Sequence, residues 1–208
     1  MAYHQFDLES ATQQFSLNRN EQTNLFAQVE EVRPGQALLT LFEDHIPLAL
    51  AIGNEKARSE LIIAPLLAEA RRQADRTVSF FSGTEFNVDP EQGLNGFCDF
   101  IFSRSPELFS LKAPVLMIVE AKQENIPGGF GQCVAEMVAA RIFNERSGRE
   151  ITPVYGAVTT GDNWKFLALE RETVFIDLPQ YQISQIGKVL GILLHILQDD
   201  QATQAKAA

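Results

Sequence analysis

Two kinds of apolar pattern run through the chain. Val115–Val119 is apolar at every position, as in a strand covered on both faces. From about Gln180 to Gln198, in contrast, Ile183, Ile186, Val189, Leu190, Leu193, Leu194 and Leu197 recur at helical spacing and predict an amphipathic helix. "GTEFNVD" and "LNGFCDFIFS" flank "PEQG", whose turn chemistry predicts a hairpin. "ALLTLFEDHIPLALAI", residues 37–52, reads as two short strands around "EDH". Asn54 offers an N-cap for a helix to about Arg76, in which Pro65 must either bend the rod or mark a start near Ala64. A further helix is expected from Gln132 to Arg146, ended by Gly148, and three strands within 151–178, with Gly161, Asp162 and Asn163 turning the first into the second. Residues 1–35, with the amphipathic pieces "LESATQQF" and "QTNLFAQV", read as a helical lead-in that stops at Pro34 and Gly35. The closing "QATQAKAA" has no apolar period and is expected to fray.

The resulting order from about residue 54 to 160 is helix, strand, strand, strand, helix, strand. It predicts an α/β domain with elements added at both ends, residues 163–198 supplying the C-terminal strands and helix. With 208 residues, 45% of them hydrophobic, there is material for one sizeable core, and no repeat or linker divides it. The absence of a signal-like start or a long apolar run predicts a cytoplasmic protein without a membrane partner. Cys98 and Cys133 sit in apolar surroundings and read as buried thiols. A net charge of −10 opposes non-specific adhesion to nucleic acid. The middle of the chain is nearly balanced, however, and Arg71, Arg72, Arg76, Arg141, Arg146 and Arg149 leave room for a local cationic surface or a solvated helix face.

Candidate chemistry begins where the apolar strand ends, at "EAK". Strand residues alternate faces, so Glu120 and Lys122 point the same way, about 7 Å apart along the chain, with Ala121 turned to the other side. Alone, such a pair reads as an exposed ion pair at a strand end. Asp99 changes that. It interrupts the apolar strand "GFCDFIF", where a carboxylate is costly unless compensated, by a loop or an arginine for example. If the two strands pair, Asp99 lies beside Glu120, and two carboxylates brought together favour a hard divalent cation between them. "PGGFG" lacks the ending of a phosphate loop and is expected to form a mobile rim to the pocket. His4, His45 and His195 are scattered.

This constellation resembles the PD-(D/E)XK nuclease superfamily, in which an aspartate on the second core strand precedes an "ExK" tripeptide on the third. Asp99 and Glu120 to Lys122 match those positions, Glu60 in "ARSELI" matches a glutamate often found in the first helix, and Gln132 matches a glutamine early in the following helix. "VTTGDNWKF" resembles the strand and turn that come next. The proline of the family name is replaced by Cys98. The resemblance implies a restriction-endonuclease-like αβββαβ core with a central mixed sheet. It implies magnesium or manganese held by Asp99, Glu120, the carbonyl of Ala121 and Glu60, with Lys122 and Gln132 assisting hydrolysis of a nucleic acid. A homodimer is the expected assembly. The competing expectations are a fold relative that binds or assembles without catalysis, and an α/β domain in which Asp99 points away from Glu120.

Overall fold

A computed structural model describes residues 2–76 and 78–198; the tail expected to fray lies outside them. Seven strands form a continuous mixed sheet: β1 (Asn18–Asn20), β2 (Ser79–Glu85), β3 (Phe97–Ser103), β4 (Val115–Ala121), β5 (Val154–Thr159), β6 (Asn163–Glu170) and β7 (Thr173–Ile176). Their order is β1-β7-β6-β5-β4-β3-β2, and a short β8 (Tyr181–Gln182) pairs with β6. The β4–β5 and β1–β7 pairs are parallel and the others antiparallel. Parallel neighbours need a crossover, which the helix α5 below supplies between β4 and β5. Every residue of β4 and β5 is buried, as the uninterrupted apolar run at Val115 predicts.

The helices are α1 (Leu8–Gln14), α2 (Gln36–Ile52), α3 (Glu55–Arg58), α4 (Ala64–Gln73), α5 (Ile126–Arg146) and α6 (Ile186–Gln198). Asn54 caps α3, its Oδ1 accepting from the Ala57 N–H at 2.8 Å. Between α3 and α4 the backbone widens into a π turn, Ser59–Ile63, and α4 restarts with Pro65 in its first turn. The chain stays helical through Ile63, and Ala64 N–H reaches back to the Ser59 carbonyl, so the missing proline N–H falls where the regular α ladder is already interrupted.

Several expected elements change. Residues 37–52 form one helix, not two strands: Leu38, Phe42 and Ala49 are buried with Ile46 packed beside them, a helical stripe obscured by the apolar but exposed Leu41, Leu48, Leu50 and Ile52. "QTNLFAQV" is not helical. It belongs to an irregular strap tied down by Leu25 N–H to Asp177 Oδ1 at 2.6 Å and by Val32 N–H to the Gly187 carbonyl at 2.9 Å. The last helix starts at Ile186, after β8 and a single 3₁₀ turn.

Helix α5 starts six residues earlier than expected, so "PGGFG" forms its first turns and not a loop. Asn125 caps it through Gly128 N–H. The glycines serve close packing: a Cβ at Gly131 would overlap the Asp7 backbone, and one at Gly129 would lie 2.7 Å from Val158 Cγ1 and 3.1 Å from Lys122 Cε. Gly156 on β5 likewise lets Met137 and Cys133 of α5 approach the sheet. Both cysteines are buried, as expected.

Candidate functional site

The register of β3 against β4 sets Phe100 opposite Val119, so one further step brings Asp99 level with Glu120. The side chain of Asp99 closes that end of the ladder, its Oδ2 accepting from the Ala121 N–H at 2.8 Å. Lys122 leaves β4 with its N–H still bonded to the Thr159 carbonyl of β5. Its ammonium lies 2.5 Å from Glu120 Oε1 and 3.2 Å from Gln132 Oε1, and Gln132 Nε2 donates to Glu136 Oε1 at 3.1 Å. Asp99, Glu120, Lys122 and Gln132 thus come together, from β3, β4 and α5.

Burial governs the charges. Glu120 is 2% exposed, and burial, followed by the charge of Asp99, pushes its carboxyl up to about 8. Burial also raises Asp99, against the pull of the Ala121 N–H, the Lys122 ammonium and a hydrogen bond shared with the Glu120 carboxyl. For Lys122, burial alone would lower the pKa, but the charge of Glu120 and the hydrogen bond to it outweigh that and carry it above an ordinary lysine. Glu120 Oε2 is buried without a hydrogen-bond partner. A buried carboxylate normally gathers donors on both oxygens, and this one has a cation on one side only.

Of these four groups Asp99 alone lines a cavity, of about 210 Å³, whose other walls are Glu55, Lys56, Ser59, Ser82, Gly83 and Ala121; Glu120, Lys122 and Gln132 are not among its lining residues. Nor is Glu60. It sits one turn on, its side chain 61% exposed in an ion pair with Lys56 at 2.7 Å. Glu55, at the start of α3, occupies the wall instead, and its charge is felt by both Glu120 and Lys122. The π turn after α3 breaks simple helical spacing, which is why counting along "NEKARSE" does not single out Glu55. Glu136 is the other residue that the sequence reading overlooked. It is fully buried, and its signal is a lone acid inside the apolar run "CVAEMVAA".

Among the described residues, no three His, Cys, Asp or Glu side chains are gathered closely enough to hold a metal ion by themselves. What the site offers is two carboxylates, Asp99 and Glu120, with the backbone of Ala121 between them. Oxygen donors of this kind fit magnesium or manganese, which keep several waters and need only one or two protein carboxylates. Glu120 Oε2 is free of hydrogen bonds and buried, and of the two carboxylates it is Asp99 that meets the cavity.

The arginines expected to form a cationic surface are largely engaged within the protein. Arg71 donates to the Val78 carbonyl, Arg72 to Glu69, Arg141 to the Arg171 carbonyl, and Arg146 to the Val88 carbonyl and Asp89. His195 is exposed on α6, edge-on to the ring of Phe26. A larger concavity, about 660 Å³, lies elsewhere, around the turn from β6 to β7, and its charged residues Glu170, Arg171 and Glu172 are exposed. The perturbed groups, and not the larger volume, therefore mark the site. No described helix is long and apolar enough to cross a membrane. No family model matches the chain, and no curated protein is significantly similar to it.

Proposed function

We propose that the chain is a metal-dependent phosphodiesterase of nuclease type, built on a restriction-endonuclease-like core of the PD-(D/E)XK kind. The observation that carries this reading is Glu120. It is a buried carboxylate level with Asp99 across the β3–β4 register, with Lys122 on one oxygen and no hydrogen-bond partner on the other, and Asp99 opens onto a cavity. The order of elements through α3, α4, β2, β3, β4, α5 and β5 supports the same reading.

Asp99, Glu120 and the Ala121 carbonyl would hold magnesium or manganese, which when bound acidifies a water and offsets charge on phosphate oxygens. Asp99 has a second task within the protein, since its bond to the Ala121 N–H fixes the backbone that carries the third oxygen. Lys122 holds its ammonium between Glu120 and Gln132, where it can donate to an attacking water or a developing phosphate anion. Glu55, in place of Glu60, faces the cavity and would accept a hydrogen bond from water there.

Manganese titration by calorimetry, combined with cleavage of labelled DNA and RNA, tests the reading. The wild type should bind manganese and cut at least one substrate, while Asp99→Ala and Lys122→Met proteins should lose about 10²-fold or more of the cleavage. Equal cleavage by wild type and variants would refute the site. A second reading, a fold relative that binds or assembles without catalysis, draws on the net charge of −10 and on the engagement of its arginines with the protein itself. Metal binding without cleavage of either nucleic acid would select it.

A further inference from the structure

Glu136 takes no part in the hydrolysis outlined above, yet it is an acid in the most apolar stretch of α5, flanked by Cys133, Val134, Ala135, Met137 and Val138, all buried. Its Oε1 accepts from Gln132 Nε2, and its Oε2 has no partner. Placing a carboxyl in such surroundings is costly, and an apolar side chain would pack there without that cost. The position therefore keeps an unfavourable group for the sake of a single visible contact. That contact is to the residue which touches the site lysine.

We infer that Glu136 is a positioning residue, which through Gln132 fixes the Lys122 ammonium beside Glu120. Gln132 and Glu136 are one helical turn apart and share a face of α5. A glutamine amide has unlike ends, a carbonyl oxygen that accepts and an NH₂ that donates. With Glu136 Oε1 accepting at one end, the oxygen is turned toward Lys122 Nζ at 3.2 Å. The reversed amide would set NH₂ against an ammonium, donor against donor, and leave Glu136 Oε1 facing a carbonyl. Gly129 completes the arrangement, since its missing side chain leaves room for the Lys122 methylenes under α5. The importance of this placement for turnover rests on the nuclease reading; the placement itself does not.

The exchange measurement uses the full chain without metal. Glu136→Met replaces the carboxyl with an apolar side chain of similar length, and Glu136→Gln keeps an acceptor in the same place. In the wild type, NMR should find the side-chain NH₂ of Gln132 protected from solvent exchange. Glu136→Met should speed that exchange about tenfold, the scale of one lost hydrogen bond. Backbone amide shifts away from α5 and manganese affinity should stay as in the wild type, and Glu136→Gln should restore the protection. With an active substrate, the same Met variant should lower kcat about tenfold with KM unchanged. Unchanged Gln132 exchange in Glu136→Met, or no recovery in Glu136→Gln, would overturn the inference. If the Met variant does not fold, Gln132→Met serves in its place: adding Glu136→Gln to it should leave kcat and manganese affinity as Gln132→Met alone sets them, and a further fall would show Glu136 acting by another route. A wild type that cuts neither DNA nor RNA sinks the nuclease reading, and the exchange measurement then still decides the role of Glu136.

Discussion

Glu69 and Glu120 are both buried glutamates facing a cation, and their environments act on them in opposite directions. Glu69, on α4, accepts from Arg72 Nε and Nη2 at 2.7 and 2.6 Å, from Gln73 Nε2 at 2.7 Å and from the Gly35 N–H at 2.9 Å. The hydrogen bond from Arg72 leads in drawing its carboxyl down to about 2, against burial. Glu120 has one ammonium on one oxygen and no hydrogen bond on the other, and burial lifts it to about 8. What separates them is the number of donors. A carboxylate that ties a chain segment in place uses both its oxygens, as Glu69 does in anchoring the start of α2. Glu120 and Glu136 each keep one oxygen without a partner, and of the two Glu120 stands level with Asp99.

The largest expected difference between Glu69 and Glu120 is in metal response. Manganese at a hundredfold excess over its dissociation constant should add about 2.7 kcal/mol to the stability of the wild type. Asp99→Ala and Glu120→Ala should abolish that gain, along with cleavage. Glu69→Ala should lower the baseline and keep the full manganese increment. Thermal unfolding with and without the ion reads both. A manganese increment that survives in Glu120→Ala would remove the distinction between the two glutamates.

Their pH dependence should also be opposite in sign. Between the ordinary glutamate value of 4.5 and about 8, folded Glu120 retains a proton that the unfolded chain has released, so stability falls as pH rises through this window and levels off above it. Glu120→Gln should remove that slope and gain on the wild type from pH 4.5 to 8. For Glu69 the unfolded chain holds the extra proton between about 2 and 4.5, so its contribution is complete above 4.5 and is lost as pH falls toward 2. Glu69→Gln should therefore cost about 1.5–3 kcal/mol at neutral pH, the range for hydrogen bonds to a charged group, and progressively less in acid. Urea unfolding at several pH values checks both slopes.

How much of this was legible in the sequence varies with the kind of signal. The β3–β4 pairing and the approach of Asp99 to Glu120 follow from strand alternation, which is local and regular. The α2 helix was hidden because Leu41, Leu48, Leu50 and Ile52 are apolar yet exposed, so the helical stripe of Leu38, Phe42 and Ala49 did not stand out. The early start of α5 was hidden for a tertiary reason. "PGGFG" has the composition of a loop, and only the contacts with Asp7, Val158 and Lys122 explain why glycine is required within a helix there. Glu136 was visible as a lone acid in an apolar run, but its partner Gln132 is identified by helix phase only once the helix is placed.

The smallest expected effect tests the wall of the cavity, where Glu55 and Glu60 contrast as Glu120 and Glu69 do. Glu60 is tied to Lys56 in a pair whose side chains are 81% and 61% exposed, and pairs of this kind contribute about 0–1 kcal/mol. Glu60→Gln should therefore leave manganese affinity and cleavage unchanged. Glu55 lines the cavity and adds its charge to the field at Glu120 and Lys122. Glu55→Gln should weaken manganese binding a few-fold, about 1 kcal/mol, because charge interactions across water-filled space are screened. That weakening should shrink as salt is raised from 0.05 to about 0.5 M, where the Debye length falls to a few ångströms. Calorimetry on the two variants side by side makes the comparison. If Glu60→Gln were the one to weaken binding, the acidic wall of the site would have to be drawn from the far side of the π turn, with the helix from residue 55 to 73 wound differently from its present course.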